Sequence, residues 1–200
     1  MNIFWYPPAV DRKLRENIKG HRSIVVWFTG LPCSGKSTIA HKLEEKLLMI
    51  NIHTYTLDGD NIRHGLCSDL GFSYYERKEH LRRVAEVSKL FIEAGIVVLA
   101  AFVTPYNELR MMIKEIIGQN DFIEIYCKCP INVCIKRDKK GLYKKALEGK
   151  LSYYTGISDI YEEPENPDLI LETDKLSIDE AVNIVFDFIK PKIKLINSEI

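Results

Sequence analysis

The sequence predicts an α/β fold: a five-stranded, mostly parallel sheet with helices on both faces and a mobile lid. Three observations carry this. A β-branched and aromatic run, Ser23–Thr29, leads into the glycine-bearing stretch Gly30–Thr38 (GLPCSGKST), which opens an amphipathic segment. Strand-length runs then alternate with segments of helical period along the rest of the chain. One such run, Ile96–Val103, is apolar throughout, as a strand buried on both faces requires.

The elements follow in order. Residues 1–22 read either as an N-terminal arm, packed on the domain or on a second subunit, or as a partly ordered tail. Within it Pro7-Pro8 begins a turn, and Asp11–Gly20 reads as a helix capped by Asp11 and stopped by Gly20. The domain proper spans residues 23–190. Ser23–Thr29 is its first strand. Ser37–Met49 is a helix with Ile39, Leu43, Leu47 and Leu48 along one side. His53–Leu57 alternates and gives the second strand, and Leu66–Phe72 is a loop. A long helix over Tyr74–Gly95 presents Leu81, Val84, Ala85, Val87, Ser88, Phe91 and Ile92, with Gly95 as its stop. Ile96–Val103 is the third strand, ended by Thr104-Pro105. Tyr106–Ile117 is a helix, Phe122–Cys127 the fourth strand and Pro130–Arg137 a short helix. Asp138–Gly156 is dense in Lys and Gly, with Leu142, Leu147 and Leu151 as its sparse apolar points. That composition suits a lid closing on phosphates. Leu169–Leu171 is the fifth strand, Ser177 caps a last helix through Phe188, and 191–200 is a loose tail.

Composition narrows the function. Lys+Arg and Asp+Glu both number 28, so bulk charge gives no nucleic-acid binding. No apolar run approaches the ~18 residues of a membrane span. The opening MNIFWYPPAVDRK lacks the basic-then-apolar order of a secretory signal, so the expected compartment is the cytoplasm. The five cysteines (Cys33, Cys67, Cys127, Cys129, Cys134) lack the paired spacing of a metal site and read as buried or half-buried thiols. Cys33 lies within the glycine loop, so its alkylation is expected to abolish nucleotide binding.

Gly30–Thr38 fits G-x-x-x-x-G-K-[ST], and the strand before it and helix after it turn the pattern into a site. Backbone N–H groups of Gly30, Leu31, Pro32's neighbours Cys33 and Ser34, and Gly35 through Thr38 would surround the phosphates of ATP. Lys36 would reach the β- and γ-phosphates, and the Ser37 hydroxyl would hold Mg²⁺. Asp58-Gly59-Asp60 follows the second strand, at the sheet edge where α/β proteins place ligands. A carboxylate there can accept a hydroxyl proton or hold a metal-bound water. The plainer alternative is an Asx turn. Arg77, Arg82 and Arg83 near the start of the long helix are anion-binding candidates, the alternative being a solvated basic face.

The ordered series GLPCSGKSTIA, LDGDNIRHGLCSDLGFS, RKEHLRR, FVTPY, RDKKGLYKKALEGKL and YYTGISDIYEEPENPDL resembles adenylylsulfate kinase (APS kinase), a phosphate-loop (P-loop) kinase family. The resemblance runs from about Trp5 to Phe188. It implies transfer of the γ-phosphoryl of ATP to the 3′-hydroxyl of adenosine 5′-phosphosulfate (APS). The product is 3′-phosphoadenosine 5′-phosphosulfate (PAPS), the activated sulfate of sulfate assimilation. It also implies a homodimer. Residue by residue, Lys36, Asp58 and Asp60 take catalytic places, with the two acids between metal and acceptor. Arg63 and Arg77 grip the phosphosulfate, Phe72 and Tyr154 sandwich the acceptor adenine, and Arg137 packs the donor adenine. Lys139, Lys144 and Lys145 fall in the lid. Val103 and Thr104 stand in the family's F-I-S-P pattern, with Thr104 in place of a serine sometimes given a phosphorylated intermediate. Direct in-line transfer needs no such intermediate. His80 replaces an asparagine, Asn107 a basic residue and Ser152 a lysine, all on the acceptor side. Two other readings fit the same loop: a kinase for another modified nucleotide, such as a cytidine diphosphate derivative, and a non-catalytic nucleotide-binding domain. Intact Lys36, Ser37, Asp58 and Asp60 argue against the last.

Overall fold

The computed structural model describes residues 3–195. Its centre is a five-stranded parallel sheet. β1 (Val25–Thr29) lies between β3 (Val97–Ala101) and β4 (Phe122–Lys128), with β2 (Thr54–Asp58) outside β3 and β5 (Leu169–Glu172) outside β4. All four pairings are parallel, with Val25 opposite Val98 on one side and Phe122 on the other. The alternation of side chains along each strand sends two sets of residues to opposite faces. Val26, Phe28, Leu99 and Ile125 pack on α2 (Lys36–Leu48) and α8 (Ile178–Ile193), through Ile39, Leu43, Val182, Val185 and Ile189. Val25, Trp27, Val98 and Ala100 pack on α4 (Tyr74–Glu93) and α5 (Asn107–Ile117), through Leu81, Val84, Leu109 and Ile113.

The connection leaving β1 is thus on one face and the connection leaving β3 on the other. Divergence between adjacent strands opens a crevice at their carboxyl ends, where such sheets bind ligands. The third strand is shorter than its apolar run. Phe102 still donates to the Phe28 carbonyl, but Val103 and Thr104 turn away, Thr104 at φ 45°.

The arm helix α1 (Arg12–Lys19) is capped as expected, by Asp11 accepting from the Leu14 amide, with Gly20 at φ 75° as its stop. It is tied to the domain. Arg12 forks onto both oxygens of Asp121 and contacts Glu16 and Ser23, while the Arg22 amide donates to the Ile193 carbonyl. The last helix corrects the expected tail. It runs past Phe188 to Ile193, because Ile189 and Ile193 continue the buried stripe, which outweighs the helical N–H bond that Pro191 gives up in the final turn. Positions 196–200 of the expected tail lie outside the described residues. Two short helices were not foreseen: α3 (Gly59–Ile62), directly after Asp58, and α7 (Leu142–Leu147), within the lysine-rich segment. A further short helix, α6 (Ile131–Lys136), lies where one was expected. No helix of the described residues is long and apolar enough to cross a membrane.

Candidate active site

The glycine loop closes over the end of β1. Gly35 at φ 100° ends it and begins α2, so the loop's N–H groups and the helix N-terminus face the same space. Gly30 has no substitute there. A Cβ on it would lie 2.6 Å from the Cys127 carbonyl oxygen and 2.7 Å from Ser34 Oγ. The Lys36 ammonium is buried at the loop, donating to the carbonyls of Gly30 (3.0 Å) and Leu31 (2.7 Å). Burial pulls its pKa down, while the Cys127 and Cys134 thiols and Asp58 oppose that shift. Thr173 braces the loop from beneath, donating to the Ser34 carbonyl at 2.8 Å. Arg137 reaches the Thr173 carbonyl at 2.8 Å, so it lies beside the donor loop.

Asp58 forms the Asx turn and also reaches the glycine-loop helix. Its Oδ1 caps α3 by accepting from the Asp60 amide at 2.9 Å, an Asx arrangement. Its Oδ2 accepts from the Ser37 hydroxyl at 2.5 Å. One oxygen fixes the backbone and the other meets the donor loop. Asp60 points outward and is bridged by Lys140 at 2.6 Å. The lysine brought to the carboxylates is therefore Lys140; Lys139 is exposed.

Beyond α3, the chain builds a cradle of two guanidinium groups around one aromatic ring. Arg63 donates to the carbonyls of Leu70 and Gly71, both at 2.9 Å, and its guanidinium stands 4.2 Å from the centre of the Phe72 ring. Arg77 donates to the Phe72 carbonyl at 2.8 Å and to the Tyr153 carbonyl, 5.5 Å from the same ring. Burial lowers both pKa values, and mutual repulsion adds to the effect on Arg63. His80 is buried beneath, with its ring 5.5 Å from Phe102 and its Nδ1 without a partner among the described residues. Burial first, then Arg63, Arg77 and Arg83, push its pKa down to about 4, so it is neutral at pH 7. Among the described residues, the cradle's cations are Arg63 and Arg77.

Three expectations need correction. Arg82 and Arg83 are not anion sites. Both pair with Glu79, and Arg83 also forks onto Asp69 at 2.7 and 2.9 Å, so carboxylates already satisfy them. Thr104 does not present its hydroxyl to a substrate. The residue is 1% exposed, and its Oγ1 accepts the indole N–H of buried Trp27 at 2.8 Å. What its loop offers is backbone: the Val103 carbonyl accepts from the Thr29 hydroxyl, and the Thr104 carbonyl from Arg110 at 2.5 Å. Tyr154 sits edge-on against Tyr143, with ring centres 5.0 Å apart, in a cluster with Leu31 and Cys33. It is linked to the Phe72 cradle through the Arg77 bond to its neighbour Tyr153 and through Asp159, whose amide donates to its carbonyl. The thiols are placed as expected, Cys33 half-buried and the other four buried.

Residues 22–172 match the family described as adenylylsulphate kinase. A Thermodesulfovibrio yellowstonii adenylyl-sulfate kinase is 52% identical over 97% of this chain and 97% of its own length. A probable adenylyl-sulfate kinase of Bacillus subtilis is 47% identical over 93% of this chain and 94% of its own. The chain belongs to the adenylylsulfate kinase family. Among solved structures, the Mycobacterium tuberculosis APS kinase CysC in complex with AMPPNP and APS superposes with a TM-score of 0.82. It is 45% identical and covers 84% of this chain and 98% of its own.

As a member of the adenylylsulfate kinase family, the chain departs from the common pattern at positions whose surroundings are now visible. Asn107 contributes its side-chain oxygen to Arg110, and Ser152 is exposed within the segment 138–156. Sequence reasoning missed Arg110, Asp159 and Tyr143. Arg110 is buried and ties the Thr104 loop to the Glu162 carbonyl at 2.7 Å. Asp159 accepts the Tyr106 hydroxyl at 2.7 Å and lies 3.6 Å from Arg77. Tyr143 anchors the lysine-rich segment, fully buried and donating to the Pro32 carbonyl at 3.0 Å. Only Tyr143 left a trace in the sequence, as an aromatic residue among lysines. A groove lined by Gly156–Tyr161 and by Leu31 of the glycine loop also carries Lys128 and Lys175, which pair with Glu163 and Glu172.

Proposed function

We propose that this protein transfers the γ-phosphoryl group of ATP to the 3′-hydroxyl of APS, giving PAPS and ADP. The observation that carries this reading is the 2.5 Å contact of Ser37 with Asp58. It sets the first turn of the donor helix against the head of the acceptor segment, with the Arg63–Arg77 cradle on the far side. Loop N–H groups and Lys36 hold the donor phosphates and offset the charge that builds on them. The two arginines grip the phosphosulfate, Phe72 supports the acceptor base, and Asp60 stands where the 3′-hydroxyl proton leaves. The hydroxyl oxygen attacks the γ-phosphorus as the bond to the β-bridging oxygen breaks. Catalysis is then positioning plus charge neutralisation. Ser37 and Asp58 are a hard oxygen pair of the kind Mg²⁺ accepts, together with phosphate oxygens. When bound there, Mg²⁺ would neutralise developing phosphate charge.

The segment 138–156, anchored by Tyr143, acts as the lid and delivers Lys140 to the acids. Residues 3–6 (Ile3, Phe4, Trp5, Tyr6) are exposed large hydrophobics, which supports an arm that reaches a second copy in a homodimer. The compartment we assign is the cytoplasm. The test is purified protein with ATP, Mg²⁺ and a nucleotide panel, following ADP release and product mass. PAPS formed from APS is expected. Turnover of a cytidine nucleotide without any PAPS would overturn the reading.

A further inference from the structure

The geometry points to Asp159 as the residue that sets which acceptor anion the arginine cradle prefers. Its carboxylate is built in. Oδ1 accepts the Tyr106 hydroxyl at 2.7 Å and the Ile160 amide at 3.0 Å. Its backbone is closed in a turn, the amide donating to the Tyr154 carbonyl at 3.1 Å and the carbonyl accepting from Gly156 at 2.7 Å. The free oxygen, Oδ2, stands 3.6 Å from Arg77 Nε, and both side chains are nearly covered. Asp159 therefore cannot swing away when a substrate anion arrives, and Arg77 cannot leave it, because the Phe72 and Tyr153 carbonyls hold the guanidinium. The cradle presents two arginines, a neutral His80 and one fixed carboxylate, so its formal charge is that of a single cation.

A site of that balance suits an anion of low charge density. APS ends in a weakly basic sulfate and carries one fewer negative charge at its 5′ end than ADP. A fixed carboxylate beside Arg77 penalises each added substrate charge, so it disfavours ADP and other polyanionic nucleotides more than APS. Such nucleotides are abundant wherever ATP is, and without this penalty they would compete for the acceptor site. This inference rests on the reading that the cradle holds the acceptor's phosphosulfate, and the experiment separates the two.

With the donor loop saturated by AMPPNP, the dissociation constants of APS and ADP for the second site are measured in wild type, D159N, D159S, D159E and R77A. The two neutral variants are expected to shift the APS-to-ADP preference toward ADP by at least about fivefold, as loss of one charge a few ångströms away predicts at an effective dielectric near 20. D159E keeps the charge and is expected to retain most of the preference. D159S serves as the second neutral variant should the amide disturb the Tyr106 bond. An unchanged ratio in both neutral variants, or equal weakening of both ligands, overturns the role of Asp159. R77A tests the underlying reading alone: APS affinity is expected to fall at least about tenfold. Unaltered APS binding in R77A would remove the cradle itself.

Discussion

Replacing Thr104 by valine separates a chemical role from a structural one, because the side chain keeps its shape and loses only its oxygen. Thr104 is 1% exposed, and that oxygen accepts the N–H of Trp27, which is itself fully buried. In T104V the indole donor has no partner and no water. An orphaned buried donor costs about 1–3 kcal/mol. The backbone contacts of the residue, to Arg110 and through Val103 to Thr29, remain. For a chain of this size each kcal/mol moves the melting midpoint by roughly 2–4 °C, so a fall of about 2–12 °C is expected. The rate constant should stay within about threefold of wild type, since no reacting atom touches the hydroxyl in direct transfer. T104S restores the acceptor and should recover most of the midpoint. The assay is thermal denaturation beside initial rates at saturating ATP and APS. A T104V protein with an unshifted midpoint and a rate reduced a hundredfold would refute this, and would return the hydroxyl to the chemistry.

Asp60→Asn removes the outward carboxylate while leaving the Asp58 cap intact; kcat should fall at least about a hundredfold with ATP affinity unchanged, as read by single-turnover kinetics and nucleotide titration. His80 lowers stability in acid: its folded pKa of about 4 lies below the unfolded value of about 6.5, so the unfolded state takes up the proton first as pH falls. Stability from this group is complete above about pH 6.5 and lost progressively toward pH 4; between pH 7 and 5, urea unfolding should show wild type losing about 2 kcal/mol more than H80N. Arg12→Met leaves Asp121 only the 3.8 Å contact with Arg22 and leaves Glu16 only its bonds from Ser23, and should destabilise the protein by about 2–4 kcal/mol with the KM for APS unaltered, measured by denaturant titration and kinetics.

What the sequence made legible was what neighbours in the chain decide. The strand–loop–helix around Lys36, the continuous apolar third strand and the Ser177 cap depend on spacing within one turn or one run. So does the Asp11 cap, even though the arm's partner, Asp121, lies more than a hundred residues away. Misread positions depend on distant partners. Arg82 and Arg83 look like anion ligands until Glu79 and Asp69 are seen beside them. Lys139 and Lys140 are indistinguishable by composition, and only the path of the chain gives Asp60 to the second. The lid's leucines suggested its anchors, yet Leu147 is largely exposed and Tyr143 is buried, because a phenol can fill the cavity and still reach the Pro32 carbonyl. Arg110 reads as surface charge on an amphipathic helix. Its burial follows from the Thr104 loop turning back over α5.

The two carboxylates after β2 have been treated as a pair, but their contacts divide the work. Asp58 is held on both oxygens, by the α3 cap and by Ser37. Moving it would uncap a helix and break the Ser37 bond, the one side-chain hydrogen bond between that turn and the donor loop among the described residues, so on the proposed reading it would serve the fixed half of the site. Asp60 is tied only through Lys140, and both side chains are largely exposed. Exposed pairs of this kind contribute at most about 1 kcal/mol, so the contact yields readily to an arriving substrate. A proton acceptor must be free to meet a hydroxyl that arrives last, and a lysine displaced from Asp60 is released toward the phosphates, where the transferring group needs positive charge. On the proposed reading, the same weak ion pair would release a cation toward the phosphates once substrate binds. On this argument Lys140→Met should lower kcat through lost charge on the phosphates, while Lys139→Met, which removes an exposed lysine with no such contact, should change it little.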